Sequence, residues 1–253
     1  MIDWSFVLEA FPKVVAAVPV TLMLVFISIP IGWVIGLLIA LVRNAKVPVL
    51  NQLCIVYVSF MRSVPMVVIL FIAYYSMPLI LQTYLSSIGL SADVSGVPAA
   101  AYAIGAFVLE QGAYSSEVFR SAILAVDKGQ MEAAESVGMS RATAYLRIVL
   151  PQAVTSALPN LNGLFVGLVQ GSSLAYYVGV YEVMATATIL ANSSYAYIEA
   201  YLITSVIYEV LSFIFNKLFR MIEHRAMRFL AQGPAEEDKA SAQEAGSVAA
   251  SAA

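Results

Sequence analysis

Hydrophobic positions in this chain fall in long unbroken runs, not in the two-residue alternation of a half-buried strand. The first uncharged run is Val14 to Val42. It exceeds the roughly 20 apolar residues that carry a helix across a bilayer core, so it can span with tilt. Pro19, Pro30, Gly32 and Gly36 lie inside it; such breakers are tolerated where neighbouring helices satisfy the backbone. A second apolar region runs from about Asn51 to Met77, interrupted by Arg62. Pro78 to Pro98 is looser, with Ser86, Ser87, Gly89, Asp93 and Gly96, and reads as a connection. A third span is predicted from about Ala99 to Val118, with Glu110, Gln111 and Glu117 embedded in it. Phe119 to Leu150 is a charged segment between spans. A fourth span starts near Pro151 and fades around Gln170, and a fifth runs from about Tyr197 to Phe219. Residues 231–253 are mostly Ala, Ser, Glu and Gln without periodicity and predict a disordered tail. The pattern therefore predicts an all-α membrane protein, with at least five transmembrane helices within residues 12–230.

Composition agrees and narrows the class. The chain of 253 residues is 61% hydrophobic and 11% charged, against roughly 45–50% and 25% in soluble domains. Mean hydropathy is +0.85. A soluble enzyme, a disordered chain and a disulfide scaffold are excluded. A net charge of −3 leaves no basic footprint for nucleic acid. The single cysteine, Cys54, permits neither an internal disulfide nor a cysteine metal cluster. The scarce basic residues set the orientation. Of the 13 Lys and Arg, all but Lys13 and Arg62 fall on one side when the loop after the first span is taken as cytoplasmic. That asymmetry predicts an outside N-terminus and an inside C-terminus.

The charged segment parses as two short helices. Glu132 and Glu135 sit early in the first, where carboxylates favour the positive end of the helix dipole. Gly138 suits the left-handed residue just past a helix end. Ser140 is a good N-cap for a second helix from Arg141 to about Val149, and Pro151 fits the first turn of the fourth span. The expected hairpin lies outside the membrane with the small residues Ala133 and Ala134 exposed. Two readings stay open on physics alone: an amphipathic loop on the headgroups, or a docking element for a partner.

The spacing Glu132-Ala133-Ala134, three residues, Gly138, nine residues, Ile148, one residue, Leu150-Pro151 resembles the EAA signature of membrane subunits of binding-protein-dependent ABC importers. Phe60-Met-Arg62-Ser-Val-Pro65, Ala113-Tyr114 through Glu117-Val-Phe-Arg120, and Val126-Asp-Lys-Gly129-Gln130 are similar to segments of the polar-amino-acid branch (the His, Gln, Arg and cystine type). Tyr57-Val-Ser-Phe60 and Tyr197-Ile-Glu199-Ala-Tyr201 look most like cystine permeases. The likeness covers residues 12–228. It implies a type I importer permease fold in a bacterial inner membrane, two permease subunits (identical or related) around a path, a cytoplasmic ATPase dimer and an extracytoplasmic solute-binding protein. It also implies that the EAA loop, about 119–150, couples the spans to the ATPase through Glu132, Ala133, Ala134, Gly138, Ile148, Leu150 and Pro151. This chain has no Gly-x-x-x-x-Gly-Lys-[Ser/Thr] loop, so ATP and magnesium belong on the partner and the chain itself is expected to hold no cofactor or metal.

Two departures bear on the solute. Where the family usually has Lys-Asp-Thr-Ser-Leu near the end of the fourth span, this chain has Gln170-Gly171-Ser172-Ser173-Leu174. Where the third span often has Asn-Ser-Ala-Ala-Tyr, it has Glu110-Gln111-Gly112-Ala113-Tyr114. Charges inside a span face a polar interior or a partner. Glu110, Gln111, Tyr114 and Glu117 share one helical face. Glu110 is the expected partner of a solute ammonium, with Gln111 or Tyr114 as hydrogen-bonding groups and Arg62 facing the carboxylate. Arg62 as a structural ion pair, Glu110 as a buried pair, and Gln170, Ser172 and Ser173 as caps of the fourth span are the alternatives to a place on the path. A membrane enzyme lacks its nucleophile–base pair here, since the lone His224 lies at the cytoplasmic end. The competing transport class is a stand-alone secondary carrier or channel. Such proteins often carry internal repeats, and none is visible here.

Overall fold

The computed structural model describes residues 2–90 and 96–251, with side chains described as far as Arg228. The expected tail, 231–253, lies outside the residues described in full. Among the described residues the fold is helical, with no strand. The chain divides into two compact units, residues 1–121 with 160–215, and 122–159 with 216–253.

The first unit begins with a helix that the hydrophobic runs did not announce. α1 (Trp4–Val15) is capped by Asp3, whose carboxylate accepts the N–H groups of Ser5 and Phe6. The backbone N–H of Asp3 in turn donates to Glu199 at 2.9 Å. α2 (Val18–Asn44) matches the first predicted span within a few residues and keeps Pro30 inside. The second apolar region is not one span. Pro65 pushes Val64 into an extended conformation (φ −91°, ψ 132°) and separates α3 (Leu50–Ser63) from α4 (Met66–Ser87). α4 runs on through Pro78, so the span expected to end at Met77 continues ten residues into the expected connection. α5 (Ala99–Ala125) and α8 (Leu150–Gly171) occupy the third and fourth spans. The stretch 171–196, expected as a loop, instead holds a 3-10 segment (Ser172–Val178) and α9 (Val183–Ala191), bent by 52° from the helix before it. α10 (Tyr197–Ser251) contains the fifth span.

Among the described residues three helical stretches are long and apolar enough to cross a membrane, Trp4–Asn44, Met66–Ser87 and Tyr197–Arg228, and the bent pair ending in α9 makes up to four. α5 is long enough at 27 residues, but Glu110, Glu117 and Arg120 make it too polar to qualify on hydropathy.

A stripe of small residues on α2 (Ser28, Gly32, Gly36 and Ala40, all buried) lets α5 approach closely. A Cβ on Gly32 would lie 2.6 Å from Gln111 Cβ, and one on Gly112 would lie 3.0 Å from Ile35. Phe26, Phe165 and Phe215, with ring centroids 4.7–5.8 Å apart, join α2, α8 and α10 in the same unit.

In the second unit lie α6 (Lys128–Ser136), α7 (Arg141–Ala144) and a π-helical turn (Tyr145–Val149) that leads into α8. Ala134, Ala144 and Val149 are the buried side chains of these three elements.

Candidate functional site

The polar face of α5 meets a cavity of about 220 Å³ in the first unit. Glu110, Gln111 and Tyr114 line one wall, and Gly163, Leu164, Gly167, Leu168 and Gly171 of α8 form the other. A Cβ on Gly163, Gly167 or Gly171 would meet nothing within 4 Å, so these three positions, one turn apart, keep open space beside the carboxylate. Met66, Phe107 and Leu174 complete an otherwise apolar lining. Gln111 is 4% exposed, and its side-chain oxygen is buried with no hydrogen-bond donor among the described residues. A carboxylate and an unsatisfied amide oxygen thus share one apolar chamber. Both are acceptors: the carboxylate takes a hydrogen bond from the Gln111 side chain, the Gln111 oxygen takes none, and no cation faces either among the described residues.

The other proposed path residues fall elsewhere. Glu117 is not in the cavity lining. Its carboxylate accepts from Arg43 Nη1 at 2.5 Å and Arg120 Nε at 2.9 Å, with Arg62 Nη1 at 4.0 Å. Arg62 also stands off the cavity, its guanidinium 5.5 Å from the centre of the Tyr114 ring. Gln170 donates to Ser212 Oγ at 3.3 Å, while Ser172 and Ser173 donate to the carbonyls of Val169 and Gln170 three residues back. The two serines thus bond the last turn of α8 and Gln170 reaches α10; all three are absent from the cavity lining, where Gly171 and Leu174 stand instead.

Sequence reasoning missed Glu182. It is fully buried and caps α9 through the N–H of Ala185 at 2.8 Å. Its other oxygen accepts from Tyr208 Oη at 2.6 Å and Thr21 Oγ1 at 3.4 Å, which ties α9 to α10 and α2. Glu209, beside Tyr208 in the fifth span, is exposed. The cue for Glu182 was its position, a carboxylate directly before the apolar run 183–191, where a helix N-cap belongs.

The charged hairpin in the second unit has the predicted turn. Gly138 has φ +83°, Met139 N–H donates to Ala134 O at 3.1 Å, and Gly138 N–H to Glu135 O at 3.0 Å. That pair of bonds is a Schellman motif, which needs a left-handed residue and so favours glycine. Asp127 caps α6 through Gly129 N–H at 2.6 Å, and Ser140 Oγ caps α7 through Thr143 N–H at 3.3 Å. Two expectations fail. Glu132 and Glu135 do not open α6, whose first turn holds no acidic residue; Glu132 is mid-helix and Glu135 next to last, because Asp127 starts the helix earlier. Ala134 is 3% exposed and packs inward, so the small-residue face is not open as a pair. The reason is helical phase: Ala134 falls on the side of α6 that meets α7 and the π-helical turn, while Glu132, Ala133 and Val137 point to the exterior. Leu146 is also exposed, Ile148 and Leu150 are half-buried, and Pro151 is exposed.

Comparison with known proteins fits this architecture. Residues 28–228 match the model of the binding-protein-dependent transport system inner membrane component family. A "Probable amino-acid permease protein YxeN" of Bacillus subtilis is 38% identical over 89% of this chain and 96% of its own length. The "L-cystine transport system permease protein TcyL" of the same organism is 35% identical over 88% and 91%. Among solved structures, an amino acid ABC transporter with histidines superposes with a TM-score of 0.75 at 29% identity, covering 89% of this chain and 99% of that one. The methionine ABC transporter MetNI shares the fold at 18% identity, with a TM-score of 0.63 over 82% of this chain and 95% of that one. A multi-pass helical chain with a charged hairpin ahead of α8, matching along nearly its whole length, belongs to the family of binding-protein-dependent transport system inner membrane components and is a non-catalytic permease subunit of an ABC transporter.

Proposed function

We propose that this permease admits a polar amino acid to the cytoplasm, with L-cystine as the first candidate, and that Glu110 binds the solute ammonium. The observation that carries this reading is the pairing of Glu110 with the unsatisfied buried oxygen of Gln111 in one apolar cavity. An ammonium supplies up to three donors and a positive charge, a donor for the Gln111 oxygen and a cation for the carboxylate. The glycines of α8 leave room for the rest of the solute, and Tyr114 offers a ring and a hydroxyl. The N-terminus lies outside and the C-terminus inside, as the basic residues direct.

The partners follow from the family and from the hairpin. A second permease subunit, identical or related, completes the path. A cytoplasmic ATPase dimer receives the α6–α7 hairpin through Glu132, Ala133 and the exposed Val137, and a solute-binding protein delivers from outside. Ala134, Gly138, Ile148, Leu150 and Pro151 hold the hairpin's shape. ATP and magnesium act on the partner; among the described residues no group of three His, Cys, Asp or Glu side chains could hold a metal ion.

The test is uptake of radiolabelled L-cystine, L-glutamine and other L-amino acids by liposomes holding the complete transporter. Glu110→Gln is expected to lower uptake of the transported amino acid about tenfold, the value of one lost charge-assisted hydrogen bond. Uptake by this variant at the wild-type rate and affinity would remove Glu110 from the path.

A further inference from the structure

Three arginines from three helices face a single carboxylate in the first unit. Glu117 is matched by Arg43 at 2.5 Å and by Arg120 at 2.9 Å. Those two bonds occupy both oxygens of Glu117, on Oε1 and Oε2 respectively. Arg62 is left over. Its nearest approach to Glu117 is 4.0 Å, outside hydrogen-bond range, and among the described residues no second carboxylate lies within 4.0 Å of it. It is also the most exposed of the three, at 46% against 14% for Arg43.

Arg62 nevertheless does not stand in open solvent. Its guanidinium covers the ring of Tyr114, and the same ring lines the cavity that holds Glu110. Along α5, Tyr114 lies about 6 Å and Glu117 about 10 Å from Glu110, at 1.5 Å per residue. A solute leaving the Glu110 cavity along this face of α5 therefore passes Tyr114 and next meets a guanidinium whose planar donor fork lacks an oxyanion. A fork of that kind matches one carboxylate bidentately.

On the reading that the Glu110 cavity is the solute path, we propose that Arg62 is a second station on it, which binds the α-carboxylate of the departing amino acid. The ammonium is held at Glu110 first. The carboxylate then engages Arg62 beside Tyr114, and Glu117 with Arg43 and Arg120 forms the fixed frame behind it. A lipid phosphate is the other oxyanion that seeks guanidinium groups. The arrangement favours the solute, because Arg43 is nearly buried and already bonded with Arg120 to Glu117, leaving one fork next to the cavity wall and no open basic patch.

The experiment measures ATP hydrolysis by the permease–ATPase complex in nanodiscs without the binding protein. Activity is followed against rising L-cystine and against cystamine, which keeps both ammonium groups and lacks both carboxylates. The same is done with L-glutamine and its decarboxylated form, 4-aminobutanamide. In the wild type the acid is expected to act at a concentration about 10- to 100-fold below that of the amine. Arg62→Gln should bring that ratio close to one, and Arg62→Lys should leave it intermediate. Glu110→Gln should shift acid and amine together and keep their ratio. An unchanged ratio in Arg62→Gln, with Glu110→Gln behaving as stated, overturns the station while the cavity reading stands. If the Gln variant does not assemble, an unchanged ratio in Arg62→Lys overturns it equally. If Arg62→Gln instead abolishes a dependence on added phosphatidylglycerol and keeps the acid-to-amine ratio, the oxyanion is a lipid phosphate and the proposal fails. If no amino acid alters hydrolysis in the wild type, the cavity reading fails and the station falls with it.

Discussion

Gly36 sits where α2 meets α5, and replacing it with Ala measures how much that close approach contributes. A Cβ at Gly36 would collide with Ser115 Oγ and stand 2.9 Å from both Gly112 O and Ser116 N. The hydroxyl can rotate away only by giving up its 2.6 Å bond to Gln111 O. The two backbone atoms cannot move without the helix. Carbon contacts are most favourable at about 3.5–4.0 Å, so the helices must part by roughly 0.5–1 Å. Overpacking of that kind costs about 1–3 kcal/mol, and Ala recovers up to about 1 kcal/mol of helix propensity over Gly. The same substitution at Gly105, where a Cβ meets nothing within 4 Å, provides the reference. Gly105→Ala should be neutral or slightly stabilising, and Gly36→Ala less stable than it by about 1–3 kcal/mol. For a chain of this size that is a difference of roughly 2–12 °C in midpoint. Thermal unfolding of the solubilised, fluorescently tagged permease measures it. Parting the helices would also disturb Arg43–Glu117 and shift Gln111 in the cavity, so uptake should fall by more than the loss of folded protein explains. Equal midpoints for the two variants would refute the packing argument.

The hairpin turn is tested by Gly138→Ala. The added Cβ has open space, so its cost is the left-handed backbone alone, about 1–2 kcal/mol, and it should lower the ratio of uptake to ATP hydrolysis at normal membrane insertion. A bulky acidic residue at 138 should uncouple transport more fully, and normal uptake by either variant would sink the docking assignment. Tyr208→Phe removes the 2.6 Å bond to the buried carboxylate of Glu182 and should cost about 1–3 kcal/mol, read as a lowered unfolding midpoint; an unchanged midpoint would show that Glu182 does not depend on it. Glu110→Gln should weaken uptake without lowering that midpoint, since no protein cation pairs with Glu110 among the described residues.

Long apolar runs announced α2, α8 and the start of α10 because a span is encoded by length and hydropathy, both local in sequence; α5 was legible from its length in spite of its embedded charges. The hairpin was equally legible. Gly138 and Ser140 act through the backbone of near neighbours, so spacing alone places them, and Asp127, which the sequence reading left without a role, caps α6 in the same local way. The errors lie where local signals compete. Pro65 and Pro78 are alike in sequence, yet one ends a helix and the other sits within one. α1 was hidden because its apolar residues are mixed with Glu9 and Lys13, which pair with each other at 2.7 Å on its exposed side.

For the site, sequence determined which side chains share the face of α5, since helical phase fixes 110, 111, 114 and 117 relative to one another. Tertiary structure decided what each one meets. Glycines on α8 leave space at Glu110, while Arg43 of α2 arrives at Glu117 and converts a candidate path residue into an ion pair. Glu182 gains its importance only because Thr21 and Tyr208 converge on it from helices distant in sequence. A carboxylate in a span must find a cation, a donor or a polar chamber. Its own sequence states that need, and only the packing of the other helices determines how the need is met.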